Sequence, residues 1–185
     1  MALNRYPRRA KLIGALQIKE PKRAADPGHG AQIYAQSCAA CHSRDGLGQR
    51  AQDGAGYQFP PLWGPDSFNN GGGMSRLLTA AAYAMHNMPI GTTFDAPVLS
   101  DEDAYDVAAH IIGQNRPQKA NLDRDFPIRL LDTPYGPYAD GFTSEQHTFG
   151  PFGPIRAKVW ELAAGSGIAS VGGPDNGSDE FRRTR

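Results

Sequence analysis

The sequence predicts an all-α fold, and three observations support this prediction. Two segments repeat apolar residues with the period of an amphipathic helix, and no segment shows the alternation of a β-strand. Both cysteines of the chain, Cys38 and Cys41, lie beside His42 in one short motif. A chain of 185 residues that is 39% hydrophobic and 21% charged has room for one ordinary domain with extensions.

Residues 1–27 are predicted to form a basic, disordered leader. Glu20 is the only acidic residue among the first 23, which include seven lysines and arginines. The apolar stretch 12–16 is too short for a signal-peptide core or a membrane span, so no export signal and no transmembrane segment is predicted. Over the whole chain, 19 basic residues balance 19 acidic ones, which gives no reason to expect a nucleic acid partner.

Residues 28–117 are predicted to form the folded domain. A first helix over 28–36 leads into the cysteine motif, and the Gly- and Pro-rich stretch 43–73 is predicted to be a long loop. A second helix should start near residue 74 and end before Pro89, with apolar residues at helical spacing at Met74, Leu77, Leu78, Ala81 and Met85.

A third helix is predicted to follow Ser100, which would cap it, and to run to about Gln114. Its first turn is acidic, and its apolar positions again follow the helical period. Residues 118–164 are aromatic and proline-rich and should pack across the domain, with a short helix between Pro154 and Ala164. Residues 165–185 have the composition of a flexible tail.

The motif Cys38-Ala39-Ala40-Cys41-His42 is the C-x-x-C-H attachment site of c-type haem. Each thiol would add across a haem vinyl group, and His42 would bind the iron from one side. A disulfide between the two cysteines would leave His42 unexplained, and a redox C-x-x-C belongs after a strand that is missing here. A zinc site would need two further ligands, and the other histidines are widely scattered.

One axial position of the iron remains, and Met88 is the predicted ligand. Pro89 follows it and should move it out of helical geometry to the start of a loop. Met74 and Met85 lie on the apolar side of the predicted helix, where filling the core is their expected role. His86 is the competing ligand, although a histidine in the last turn of a helix more often interacts with the helix C-terminus.

Other cofactor contacts are expected from the proline-rich loop. A backbone carbonyl of Pro60, Pro61 or Leu62 would accept the second ring N–H of His42. Trp63 or a nearby tyrosine could donate to a haem propionate. The alternative for Pro61 and Trp63 is plain packing against the porphyrin.

With these motifs, the chain resembles class I cytochromes c. More narrowly, it resembles the C-terminal haem domain of di-haem thiosulfate dehydrogenases over residues 28–162. The resemblance depends on the segments 59–69, 74–91 and 134–142, which are more particular than the haem motif that many families share.

The resemblance implies that catalysis belongs to a preceding domain, whose haem iron has a cysteine as its second axial ligand. This sequence has no third cysteine and no second C-x-x-C-H. The chain would therefore be a stand-alone relative or the remaining half of a shortened gene, and a partner subunit could supply a cysteine-ligated haem. Attachment of c-type haem also implies a periplasmic location, although no signal peptide is visible.

The sequence therefore predicts a class I cytochrome c-like fold around one covalent haem c, which transfers single electrons between redox protein partners. His42 and Met88 would occupy both axial positions and leave no open site for a substrate. Two alternatives stay open. The chain could be the electron-transfer half of a thiosulfate dehydrogenase, or a haem-based gas sensor with a labile sixth ligand.

Overall fold

The computed structural model describes residues 18–93, 95–125 and 141–165. Six α-helices and one short β-hairpin are assigned within these ranges. The helices are α1 (Pro27–Ser37), α2 (Ala39–His42), α3 (Leu77–Asn87), α4 (Asp101–Ile112), α5 (Ser144–Phe149) and α6 (Gly153–Gly165). The hairpin strands are β1 (Gln49–Arg50) and β2 (Tyr57–Phe59). The mainly helical architecture confirms the predicted fold class.

Local sequence explains where α1 and α4 begin. Asp26 caps α1, because its carboxylate accepts the N–H groups of Gly28 and His29 at 2.8 and 3.0 Å. Ser100 caps α4 in the predicted way, accepting the N–H of Asp103 at 3.1 Å. The acidic first turn of α4 also suits the positive end of the helix dipole.

Helices α1 and α4 cross at close range through Gly30. A Cβ added at Gly30 would lie 2.0 Å from the carbonyl oxygen of Asp106. Only glycine therefore allows the two backbones to approach so closely. This crossing packs α1, which leads directly into the haem motif, against α4, in which eight of twelve residues are buried.

The second predicted helix begins three residues later than expected. Met74 lies in a 3₁₀ turn over Gly73–Ser75, and α3 begins only at Leu77 after an extended Arg76. The hydroxyl of Ser75 donates to the carbonyls of Asn70 and Gly72, which holds a turn where the apolar pattern suggested a helix. Hydroxyl-to-backbone bonds of this kind compete with helix formation.

Two apolar clusters form the core. The first joins α3, α4 and α6, and its completely buried members include Ala81, Tyr105, Phe152 and Ile155. The second joins α1 and α4 through Ile33, Tyr34, Val107 and Ile111. The second cluster is the one that carries Cys38 and Trp63 at its edge.

The hairpin was not expected from the sequence, because its strands are too short for an alternating pattern. Strands β1 and β2 are antiparallel, with an irregularity in their register at Gln49 and Arg50. Arg50 and Tyr57 both contact the carboxylate of Asp66, at 2.9 and 2.7 Å. Side-chain contacts outside the strands therefore support the pairing.

Residues 18–27, which belong to the segment predicted as a leader, pack against the domain. Arg23 and the backbone N–H of Asp26 bind the buried carboxylate of Asp106. Glu20 forms a two-pronged ion pair with Arg156 of α6, with both N···O distances 2.9 Å. The partners that hold this basic segment lie far along the chain, so the composition of the segment alone could not reveal them. Residues 1–17 lie outside the described residues.

The C-terminal extension contributes directly to the core. Phe152 and Ile155 are completely buried, and α6 begins at Gly153, one residue before the predicted short helix. The aromatic segment 134–142 and the predicted tail fall mostly or wholly outside the described residues. Among the described residues, no helix combines the length and the hydropathy that a membrane crossing requires.

Candidate functional site

The haem-type motif lies on a sharp turn between α1 and α2. Helix α2 carries Cys41 and His42, and Cys38 occupies the junction, where its N–H still donates to the carbonyl of Tyr34 at 2.9 Å. Both thiols are free and partly exposed. Burial and the neighbouring Cys41 raise the pKa of Cys38 to about 11, so this thiol stays protonated at neutral pH.

His42 is the buried member of the motif, with 8% of its surface exposed. Its ring atom Nδ1 lies 2.8 Å from the carbonyl oxygen of Pro60. Of the three carbonyls considered from the sequence, Pro60 therefore accepts this bond. A neutral imidazole that donates from Nδ1 keeps the lone pair of Nε2 for a metal.

Backbone contacts hold the Pro60 carbonyl against His42. The N–H of Gly48 donates to the His42 carbonyl at 3.0 Å, and the N–H of Leu62 donates to Gly46 at 2.9 Å. A Cβ on Gly48 would lie 2.4 Å from the Phe59 carbonyl oxygen. The two glycines thus let the loop before the hairpin and the proline segment after it pack directly on each other.

An aromatic group closes one side of the site. The ring of Trp63 lies 4.9 Å from that of Tyr34 and 5.6 Å from that of His110. The Tyr34 hydroxyl donates to the Ser43 carbonyl at 2.7 Å, which fixes the residue that follows His42. Burial raises the pKa of Tyr34, so the hydroxyl keeps its proton and remains a donor.

The predicted cofactor-contacting residues take different positions. Pro61 is buried, and a Cβ on Gly48 would lie 2.7 Å from its backbone nitrogen. Trp63 is half-buried, and a Cβ on Gly46 would lie 2.1 Å from its indole ring. Both residues therefore pack against the polypeptide around His42, and their contact with a cofactor stays a prediction.

Met88 lies where α3 ends. Its N–H still donates to the carbonyl of Ala84 at 3.0 Å, whereas its own backbone is extended, as expected before Pro89. The side chain is half-buried. Met85 packs against the second core cluster and Met74 against the first, which agrees with a packing role for both.

These residues fit a covalently attached haem. Two free thiols and a histidine with an available Nε2 share one turn. The turn adjoins the second core cluster, against which a set of partly buried apolar side chains packs, namely Cys38, Ala39, Leu62, Trp63, Phe68, Ala84 and Met85. Within the described ranges, no group of three or more His, Cys, Asp or Glu side chains offers a metal site. The described residues therefore contain no set of side chains that could bind zinc as the alternative requires.

The sequence reasoning missed the parts of the site that depend on glycine. Gly46 and Gly48 both have positive φ, 68° and 74°, and both lie against the backbone or rings that surround His42. The sequence carries a signal in Asp45-Gly46-Leu47-Gly48, which begins three residues after His42, but glycine content alone predicts only a loop there.

Comparison with protein families gives a match over residues 25–111. The matching model is described as cytochrome c oxidase, cbb3-type, subunit III. The match begins just before α1 and ends within α4, so it contains the haem motif, the proline loop and Met88.

Several thiosulfate dehydrogenases are similar to the chain. That of Stutzerimonas stutzeri is 49% identical over 106 residues, 57% of this chain and 33% of the relative. That of Allochromatium vinosum is 48% identical over 96 residues, which is 52% of this chain and 34% of the relative. The chain thus spans about a third of the length of these relatives.

A solved structure of a thiosulfate dehydrogenase is also similar to the chain. The chain resembles the thiosulfate dehydrogenase TsdBA of Marichromatium purpuratum in its "as isolated" form, with a TM-score of 0.54 and 35% identity. The similarity covers 73% of this chain and 28% of that one. Together with the geometry of the C-x-x-C-H turn, these similarities support a c-type cytochrome domain with covalently bound haem c, which resembles the haem domain of thiosulfate dehydrogenases.

Proposed function

We propose that the chain transfers single electrons through one haem c attached to Cys38 and Cys41, with His42 and Met88 as the axial ligands. The observation that carries this proposal is the bond from His42 to the Pro60 carbonyl, which orients the imidazole and leaves Nε2 available. When bound, haem iron supplies a reversible Fe(III)/Fe(II) couple.

The protein contributes rigidity and a low dielectric. The proline segment, the two glycines and the Tyr34–Ser43 bond hold His42 in one orientation. The apolar side chains around Cys38 exclude water from one side of the site. A site whose ligands do not rearrange favours rapid electron transfer, and methionine as second ligand should raise the potential above that of a bis-histidine site.

The absorption spectrum of protein matured in a bacterial periplasm tests the ligand assignment. We expect the wild type to show the weak near-red band of methionine-ligated ferric haem, and Met88→Ala to lose it. Met74→Ala is the matched control, because Met74 packs against the other core cluster and should keep the band. Retention of the band in Met88→Ala, or its loss in His86→Ala alone, would contradict the assignment.

A second candidate function is the electron-transfer half of a thiosulfate dehydrogenase. Identity of 48–49% to two such enzymes favours this candidate. Both cysteines of residues 1–185 belong to the one haem motif, so a cysteine-ligated catalytic haem would have to come from polypeptide outside these residues, and we propose a partner subunit as its source. Thiosulfate should then reduce this haem only when such a partner is added. Reduction of the purified chain by thiosulfate alone would refute the proposal that a separate subunit oxidises thiosulfate.

We further propose that the chain acts in the periplasm between redox protein partners. C-type haem attachment supports this location. Two measurements test it: the cell fraction in which the haem-containing protein accumulates, and carbon monoxide binding to the reduced form. Carbon monoxide binding without denaturant would instead favour the gas-sensor alternative, because a stable Met88 ligand should prevent it.

A further inference from the structure

Ser43, which follows His42, has a backbone conformation that is strained for a serine. Its φ is 67° and its ψ is 156°, a combination that is almost confined to glycine because a Cβ crowds the backbone there. Within the described ranges, Asn121 is the only other non-glycine residue with positive φ. A residue persists in such a conformation only where its surroundings hold it, so the contacts of Ser43 indicate what the strain serves.

Hydrogen bonds hold Ser43 through its main chain and through its side chain. Its carbonyl accepts the Tyr34 hydroxyl at 2.7 Å and the N–H of Gly46 at 3.1 Å. Its own hydroxyl donates to the Gly48 carbonyl at 2.9 Å. The N–H of the same Gly48 donates to the His42 carbonyl at 3.0 Å. Both backbone groups of Gly48 are therefore bound to the pair His42 and Ser43.

Gly48 also connects Ser43 to the group that accepts the hydrogen bond of the His42 ring. A Cβ added at Gly48 would lie 2.4 Å from the Phe59 carbonyl oxygen and 2.8 Å from the carbonyl carbon of Pro60, so the two backbones touch. The carbonyl oxygen of Pro60 in turn lies 2.8 Å from His42 Nδ1. The contacts thus form a closed path from the serine hydroxyl, through Gly48 and Pro60, back to the His42 ring.

We propose that Ser43 is a positioning residue for the axial ligand, because its hydroxyl holds the Pro60 carbonyl within hydrogen-bond distance of His42 Nδ1. This inference depends on the proposed function, in which His42 binds the haem iron. A hydrogen bond from the far ring nitrogen raises the basicity of a metal-bound histidine. A more basic ligand favours Fe(III) over Fe(II), so the strained serine keeps the reduction potential below that of a loosely held His42.

Ser43→Gly isolates the hydroxyl, because glycine adopts the observed φ and ψ without strain. Ser67→Gly is the matched control. The Ser67 hydroxyl also donates to a glycine carbonyl at 2.9 Å, that of Gly64, but this bond lies within the turn 64–67 that follows the proline segment. A third variant, Tyr34→Phe, leaves Ser43 intact and removes one of the two donors that hold its carbonyl.

Redox titration and proton NMR of the haem-loaded proteins test the inference. The His42 Nδ1 proton should exchange with solvent slowly in the wild type and about tenfold faster in Ser43→Gly, because the Pro60 carbonyl is no longer held against it. The equilibrium constant for reduction should rise about threefold to tenfold in Ser43→Gly, about 28 to 59 mV for one electron. Tyr34→Phe should shift both quantities in the same direction by less, and Ser67→Gly should match the wild type.

A purely structural role for Ser43 predicts a changed free energy of unfolding with an unchanged potential. That result, or equal exchange rates in Ser43→Gly and Ser67→Gly, would overturn the inference. If Ser43→Gly does not accumulate, Tyr34→Phe and the wild type replace it, and either an unshifted potential in Tyr34→Phe or fast exchange of the His42 Nδ1 proton in the wild type would overturn the inference. Absence of covalent haem from the wild type would instead refute the proposed function, so the two failures are distinguishable.

Discussion

Asp106 is the charged side chain on which the packing of the basic segment depends. It is 1% exposed and accepts hydrogen bonds from Arg23, from the N–H of Asp26 and from His29. Burial alone would raise its pKa, but these hydrogen bonds outweigh burial and lower it. The carboxylate thus stays ionised while buried.

We expect Asp106→Asn to lower the free energy of unfolding by about 2–3 kcal/mol, because it removes a charged acceptor from several buried donors. Denaturant titration of the haem-loaded protein measures the change. Asp66→Asn is the control, since Asp66 is about half exposed and should cost less than about 1 kcal/mol. Equal losses of unfolding free energy in the two variants would show that the burial of Asp106 adds nothing to its contribution to stability.

His29 should make stability depend on pH. Its hydrogen bond to Asp106 raises its pKa above 6.5 in the folded state, so the protonated form stabilises the fold. This contribution is complete below about pH 6.5 and is lost as the pH rises through the raised pKa. We expect His29→Gln to be less stable than the wild type at low pH and to approach it at high pH. Parallel curves of unfolding free energy against pH would contradict this.

At the scale of elements, sequence patterns predicted the helices well and their contacts poorly. Capping at Ser100 and the apolar period of α4 were sufficient to place that helix within two residues of its end. The hairpin and the 3₁₀ turn at Met74 were missed because distant side chains and local hydroxyl bonds stabilise them. The role of Gly30 was equally invisible, because it depends on which helix crosses α1.

The crossing of α1 and α4 gives a direct test. We expect Gly30→Ala to lower the free energy of unfolding by about 2 kcal/mol, because its methyl group would overlap the Asp106 carbonyl. Gly153→Ala is the control, since a Cβ there meets no atom within 4 Å. The control should leave stability unchanged or raise it slightly, because alanine favours helix. If Gly30→Ala left the free energy of unfolding unchanged, α1 and α4 would be able to move apart at little cost.

At the scale of the whole molecule, the candidate site residues can be picked out from the sequence because they follow each other closely. Cys38, Cys41 and His42 form one motif, and the Pro60 carbonyl follows from a rigid segment nearby. By contrast, His110 lies 68 positions after His42, and its ring contacts that of Trp63 with the centroids 5.6 Å apart. Such long-range placement depends on the complete fold.

Removal of the haem should weaken the whole domain. We expect Cys38→Ser combined with Cys41→Ser to contain no covalent haem and to lose at least about 2 kcal/mol, because half-buried apolar side chains would face water. Mass spectrometry counts the haem, and denaturant titration measures stability. Cys41→Ser alone should keep one thioether and lose less. A double variant as stable as the wild type would show that the cofactor plays no part in the core.

The ion pair between Glu20 and Arg156 has a practical consequence for protein engineering. It brings together side chains that are 136 positions apart, near the two ends of the described core. A domain whose ends lie side by side tolerates circular permutation. A short linker could therefore join the helix that carries Arg156 to the segment that carries Glu20, and new termini could be opened in the exposed hairpin turn at Gly54.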